Sequence, residues 1–134
     1  MTPVLDAHAL IVYLEREAGF ETVRRWLSRS LTEAEPLPMT VVNLGEVLYI
    51  VRREQGAEKA AQIEAVVDTL PIEIVDVDLD LTREAARFKA AGGLSYADCF
   101  AAALASQRGT SLLTGDREFE AVAGQIRVEW LTPA

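Results

Sequence analysis

The sequence predicts an α/β fold in three layers, with a central parallel sheet of about five short strands and helices on both faces. Two observations carry that prediction: short apolar runs alternate along the chain with stretches of helical periodicity, and 134 residues, 50% of them hydrophobic, suffice for one core. No repeat or low-complexity tract interrupts the pattern, so residues 1–134 read as a single domain.

The elements follow in order. Pro3 to Asp6 is an apolar run ending in an acid, a first strand, and Ala7 to Glu17 carries Leu10, Tyr13 and Leu14 at helical spacing. Gly19 interrupts, and Glu21 to Arg29 resumes a helix with Val23, Trp26 and Leu27 on one side. Two prolines and two glutamates make Thr32 to Pro38 a loop, after which Pro38 to Thr40 is a strand. Gly56 divides the helices Val41 to Gln55 and Ala57 to Leu70, and Ile72 to Val77 is a β-branched strand. Helices Leu79 to Ala91 and Ser95 to Arg108 are closed by Gly92-Gly93 and by Gly109. Thr110 to Thr114 is a strand of buried type, Asp116 to Val122 a short helix and Ile126 to Leu131 the last strand.

Composition narrows the function. The single cysteine, Cys99, excludes an internal disulfide, and with only His8 beside it a Cys/His zinc site is excluded too. The longest uncharged stretch, Pro36 to Gly45, is too short to cross a membrane, and no basic region precedes the first apolar run, so a cytoplasmic location is expected. A net charge of -8 argues against broad attraction to nucleic acid, so a polyanionic substrate requires local inversion of the field. The bases are eleven arginines and two lysines, clustered at Arg24, Arg25 and Arg29, at Arg52 and Arg53, and at Arg83 and Arg87. Arginine suits forked phosphate contacts, although solvated helix faces explain such clusters equally simply.

Four acids stand apart from the solvated majority, each among apolar or small residues near the end of a predicted element. Asp6 closes the first strand, where open α/β sheets place ligands; it could equally cap the following helix. Glu46 lies in a helix that is apolar all round from Val41 until Arg52, so its carboxylate needs a partner, a metal or a route to solvent. Asn43, three residues earlier on nearly the same face, could hydrogen-bond that carboxylate or a bound water. Asp98 opens an alanine-rich helix in which Ser95-x-x-Asp98 also reads as a capping box. Asp116 follows Leu112-Leu113-Thr114-Gly115 and is either a ligand at the sheet's carboxyl edge or another cap. All four could converge on one edge, and clustered carboxylates without matching bases call for hard cations, Mg²⁺ or Mn²⁺.

With these residues assembled, the chain resembles the PIN-domain ribonucleases, in particular the VapC toxins of bacterial toxin–antitoxin pairs. The likeness rests on Val4-Leu5-Asp6-Ala7-His8-Ala9-Leu10, Asn43-Leu44-Gly45-Glu46-Val47, Leu94-Ser95-Tyr96-Ala97-Asp98 and Leu113-Thr114-Gly115-Asp116-Arg117-Glu118-Phe119, four segments in the right order and spacing. The resemblance implies a PIN-like fold in which Asp6, Glu46, Asp98 and Asp116 form the metal site, with a hydroxyl from Thr114 nearby. It further implies a Mg²⁺- or Mn²⁺-dependent endoribonuclease, the toxin of a type II pair, inhibited by a cognate antitoxin and forming a homodimer. One departure is His8, where many relatives carry Ser or Thr; it is a candidate phosphate contact or a passive surface residue, and Arg117 is the nearest arginine for the same task. The helical pair 7–17 and 21–29, with Tyr13, Leu14, Trp26 and Leu27, is the expected seat of an antitoxin segment.

Two other classes fit part of the pattern. A receiver-type signalling domain has similar α/β order and an acidic Mg²⁺ pocket, but here Asp6 is followed by Ala7 and no lysine lies late in the chain. A non-catalytic PIN-like interaction module would be expected to have lost one or more of the four acids.

Overall fold

The computed structural model describes residues 1–133. The elements are β1 (Val4–Leu5), α1 (Ala7–Glu15), α2 (Phe20–Glu33), β2 (Leu37–Thr40), α3 (Val41–Gln55), α4 (Ala57–Asp68) and β3 (Ile72–Val75). There follow α5 (Leu79–Ala91), α6 (Tyr96–Arg108), β4 (Leu112–Thr114), a 3-10 turn Arg117–Val122 and β5 (Val128–Trp130). Every strand pairing is parallel, as the alternation predicts.

The five strands form two hydrogen-bonded sets, β1-β4-β5 and β2-β3, rather than one continuous ladder. The reason lies in β2, which packs beside β1. Leu37 donates its N–H to Pro71 on the β3 side, so the next residue turns its nitrogen toward β1. That residue is Pro38, which has no hydrogen to give.

Alternation along the strands splits the core between the two faces. Val4 and Leu112 face a cluster with Phe88, Phe100, Leu104 and Phe119, beneath α5 and α6. Leu5 and Leu113 face the opposite cluster, with Met39 from β2 and Leu10, Val23, Val47 and Ile63 from α1 to α4. The three layers are therefore as expected.

Boundaries depart from expectation at several elements, with α1, α4 and β3 each ending two residues early. Helix α2 runs on to Glu33, past Arg29 and into the expected loop, where Arg29 and Glu33 pair one turn apart and Ala34 ends the helix in the left-handed region at φ 53°. The strands Thr110 to Thr114 and Ile126 to Leu131 shrink to three residues each. The short helix expected over Asp116 to Val122 is present as the 3-10 turn Arg117–Val122 with Asp116 as its cap.

Candidate metal centre

The carboxyl ends of neighbouring β1 and β4 carry Asp6 and Asp116, and the helices packed beside them bring Glu46 and Asp98. Asp6 is the helix cap that the sequence allowed, placed at the carboxyl end of β1. It caps α1, with Oδ1 accepting from the Ala9 N–H at 2.7 Å, and Oδ2 accepts the Thr114 hydroxyl at 2.5 Å. Its side chain is only 1% exposed. Burial pushes its carboxyl up to about 7, against the two hydrogen bonds that favour the charged form; the charges of Asp98 and Asp116 add to the rise.

Glu46 projects from the middle of α3 and is half-buried. Its Oε1 is shielded from solvent and makes no hydrogen bond. Burial raises its pKa, as do the charges of Asp98 and Asp116, while the Asn43 amide offsets part of the rise. Asn43 is mainly a brace: its Oδ1 accepts the Thr40 hydroxyl at 2.5 Å, and its Nδ2 donates to the Ala97 carbonyl at 3.1 Å, locking α3 against the start of α6.

Asp98 is 9% exposed in the first turn of α6, whose cap is Ser95: the Ser95 hydroxyl accepts from the Asp98 N–H at 3.2 Å. The capping duty is therefore discharged by Ser95. Burial raises the Asp98 pKa, partly offset by the Ser95 hydroxyl, and Asp116 and Glu118 raise it further while His8 acts in the opposite sense. The Asp116 carboxylate accepts from the Glu118 N–H at 3.0 Å, and its own N–H donates to Thr114 Oγ1 at 3.0 Å. Thr114 thus joins the two strand-end acids through one hydroxyl.

A cavity of about 320 Å³ opens over these groups, lined by Ala7, His8, Ile11, Glu46, Ile50, Ser95, Asp98, Asp116 and Glu118. Glu46, Asp98 and Asp116 form its acidic wall, whereas Asp6 lies behind it. Asp98, Asp116 and Glu118 each offer a carboxylate oxygen within 4.8 Å of the others. Glu118 went unassigned from the sequence, where it reads as one more surface charge beside Arg117; its signal is the Asp-x-Glu spacing, which the 3-10 turn folds onto one side. A hard divalent cation fits this donor set. Every carboxylate oxygen is a hard ligand, and the orphaned Glu46 Oε1 lacks the partner a buried acceptor requires.

Among the described residues no arginine lines the cavity. Arg24, Arg29, Arg83, Arg87 and Arg108 pair with nearby surface acids. Arg117 donates to the Thr132 carbonyl at 3.0 Å and lies 4.3 Å over the Trp130 ring, so its guanidinium is engaged with β5 and the residues after it rather than with the cavity. His8 does line the cavity.

The apolar bulk of α1 and α2 is also used differently. Tyr13 stacks on Phe20 with centroids 5.5 Å apart, Leu27 is buried, and Arg29 covers the Trp26 ring at 5.0 Å. Two openings border these helices, one of about 300 Å³ at Arg25, Trp26 and Arg29, and a larger groove of about 430 Å³ between α1, α3 and α4, lined by Leu14 with Ile11, Val51, Ile63, Glu15, Gln55 and Lys59.

The molecule is thus a parallel α/β domain whose strand ends and adjoining helices gather carboxylates around a cavity, a donor set that could hold a hard cation. The PIN domain family model matches residues 4–125, and the chain belongs to that family. Among solved structures, DNA-bound VapBC from Salmonella typhimurium superposes with a TM-score of 0.73 at 20% identity, covering 98% of this chain and 100% of that one. A sarcin-ricin loop cleaving VapC toxin from Mycobacterium tuberculosis gives a TM-score of 0.67 at 16% identity, covering 93% and 96%. VapBC-5, also from Mycobacterium tuberculosis, gives 0.61 at 26% identity, covering 96% of each chain. These likenesses establish the fold over nearly the whole length. A search of curated protein sequences returned no match.

Proposed function

We propose that the protein is a Mg²⁺- or Mn²⁺-dependent endoribonuclease and the toxin of a VapBC-type pair, working in the cytoplasm as a homodimer and inhibited by a cognate antitoxin. The observation that carries this reading is the unpartnered, shielded Glu46 Oε1 beside Asp98 and Asp116 on one cavity wall. Such an arrangement is unfavourable on its own and is relieved by a cation. Family membership excludes the receiver-type alternative, and retention of all four acids favours activity over a silent interaction module.

Glu46, Asp98 and Asp116 would hold the cation, with Glu118 at the exposed side of the same wall. A cation held by these carboxylates would supply Lewis acidity, lowering the pKa of a bound water and offsetting charge on the leaving oxygen of a phosphodiester. Asp6, fixed at both oxygens by Ala9 and Thr114, sits behind the site and keeps Asp116 in register through the shared threonine. Ile11 and Ile50 add apolar surface to the lining of the cavity.

The VapBC structures that share this fold pair a toxin with its antitoxin, and the apolar groove between α1, α3 and α4 offers an amphipathic antitoxin segment a place to dock. Among the described residues no helix is long and apolar enough to cross a membrane. The decisive experiment is cleavage of structured RNAs by purified protein with Mg²⁺, with Mn²⁺ and with EDTA, beside Asp98→Asn. Cation-dependent cutting that falls by orders of magnitude in the variant is the expected result; equal cutting by both proteins overturns the assignment.

A further inference from the structure

Resting on the ribonuclease reading, we propose that the His8 imidazole donates a hydrogen bond to a phosphate oxygen of the bound RNA backbone. The wall that must receive a polyanion is built from Glu46, Asp98, Asp116 and Glu118, and His8 supplies the only side-chain nitrogen among its lining residues. Arg117, the nearest arginine in sequence, is committed to Thr132 and Trp130.

The ring is seated, not merely present. A Cβ at position 115 would lie 2.6 Å from His8 Cε1 and 3.0 Å from Nδ1, with Leu131 Cδ1 at 3.3 Å, so the ring lies close against the turn after β4 and a side chain at position 115 would displace it from that place. One edge of the imidazole therefore packs on Gly115 backbone, and the residue as a whole stays exposed to the cavity. Among the described residues the ring makes no hydrogen bond, so its donor is available. A neutral imidazole already carries one N–H donor, and the contact requires no change of protonation. The first turn of α1 adds its positive dipole end on the same side.

His8 is the chain's only histidine, so ring signals of protein labelled with ¹⁵N-histidine report on it without ambiguity. A single-stranded oligoribonucleotide is titrated with Ca²⁺ in place of Mg²⁺ to slow hydrolysis, and binding is followed in parallel by fluorescence anisotropy. The expected result is movement of the ring signals along the same isotherm as the anisotropy. His8→Ala weakens binding about tenfold, the worth of a hydrogen bond to a charged acceptor. His8→Asn, which keeps an N–H donor, recovers part of the loss. Gly115→Ala keeps the histidine but occupies its seat, and weakens binding by a similar factor. Ring signals that stay still while RNA binds, or unchanged affinity in His8→Ala, overturn the role of His8 and leave the ribonuclease reading standing. Wild-type protein that neither binds nor cuts RNA overturns both.

Discussion

The Thr114 hydroxyl donates to Asp6 Oδ2 across 2.5 Å, joining residues 108 positions apart, and the same oxygen accepts the Asp116 N–H at 3.0 Å. One side chain thus sets the spacing between the acids that end β1 and β4. Thr114→Val keeps the shape but leaves a buried carboxylate and a backbone N–H without their partner. The variant should lose on the order of 1–3 kcal/mol in urea unfolding, while Thr114→Ser should stay near wild type. Equal stability of the valine variant would show that the hydroxyl contributes nothing net.

Burial of Asp6 gives the metal-free protein a characteristic pH dependence. Its carboxyl rises from 3.8 to about 7, so between those values the folded state holds a proton that the unfolded chain has released. Stability therefore falls as pH climbs from about 4 toward 7, by on the order of 4 kcal/mol from this group, and the loss persists above both values. Glu46 and Asp98, also raised, act in the same direction. Urea unfolding in EDTA across this range should show the decline, with a flatter profile in Asp6→Asn. Identical slopes for the two proteins would mean that Asp6 is not the titrating group.

Much of this was legible in the residues. Helices α3 and α5 begin and end as predicted because Gly56, Asp78 and Gly92 punctuate them. Glu46 stood out because an all-apolar helix makes one acid conspicuous. The division of the strands was not legible, since it depends on which side of β2 the nitrogen of Pro38 faces. The end of α2 was missed because Thr32 to Pro38 is loop-like in composition, whereas a pairing of Arg29 with Glu33 sustains the last turn. Asn43 was placed on the correct side of α3, but its strongest bonds go to Thr40 and Ala97, contacts that only the packing of α6 creates.

Glu118 extends the acidic wall without being needed for the fold. It is exposed, and a carboxylate oxygen on it lies within 4.8 Å of oxygens on Asp98 and Asp116. Glu118→Gln should leave thermal unfolding in EDTA close to wild type and weaken Mn²⁺ affinity several-fold by calorimetry. Unchanged affinity would confine the ligand set to the more buried acids.

The groove between α1, α3 and α4 makes a separable prediction about the partner. Lys59→Glu reverses a charge on its rim without disturbing the core, and Leu14→Ala removes apolar surface from its wall. Both should weaken binding of the product of the gene adjacent to this one, by about tenfold where the contact is central, and leave RNA cleavage by the free protein intact. Trp26, under Arg29 on α2 and outside the groove, should be replaceable by alanine at no cost in affinity. The reverse pattern would move the docking site back to α2.

Ser95 and Asp98 separate a helix cap from a metal ligand within a single turn. The Ser95 hydroxyl accepts the Asp98 N–H, so Ser95→Ala should cost about 1 kcal/mol of stability with or without cation. The Asp98 carboxyl is raised by burial and by its acidic neighbours, so its charge is a liability in the metal-free fold. Asp98→Asn should therefore raise stability in EDTA at neutral pH, where the wild-type group is ionised in the unfolded chain. A cation that binds only the folded state adds RT ln(1 + [L]/Kd), roughly 2.7 kcal/mol at a hundredfold excess over Kd. That increment should survive in Ser95→Ala and shrink in Asp98→Asn. Thermal unfolding of the three proteins, each with EDTA and with Mn²⁺, makes the comparison. An Asp98→Asn protein that is less stable in EDTA yet keeps the full wild-type gain from Mn²⁺ would remove Asp98 from the metal centre.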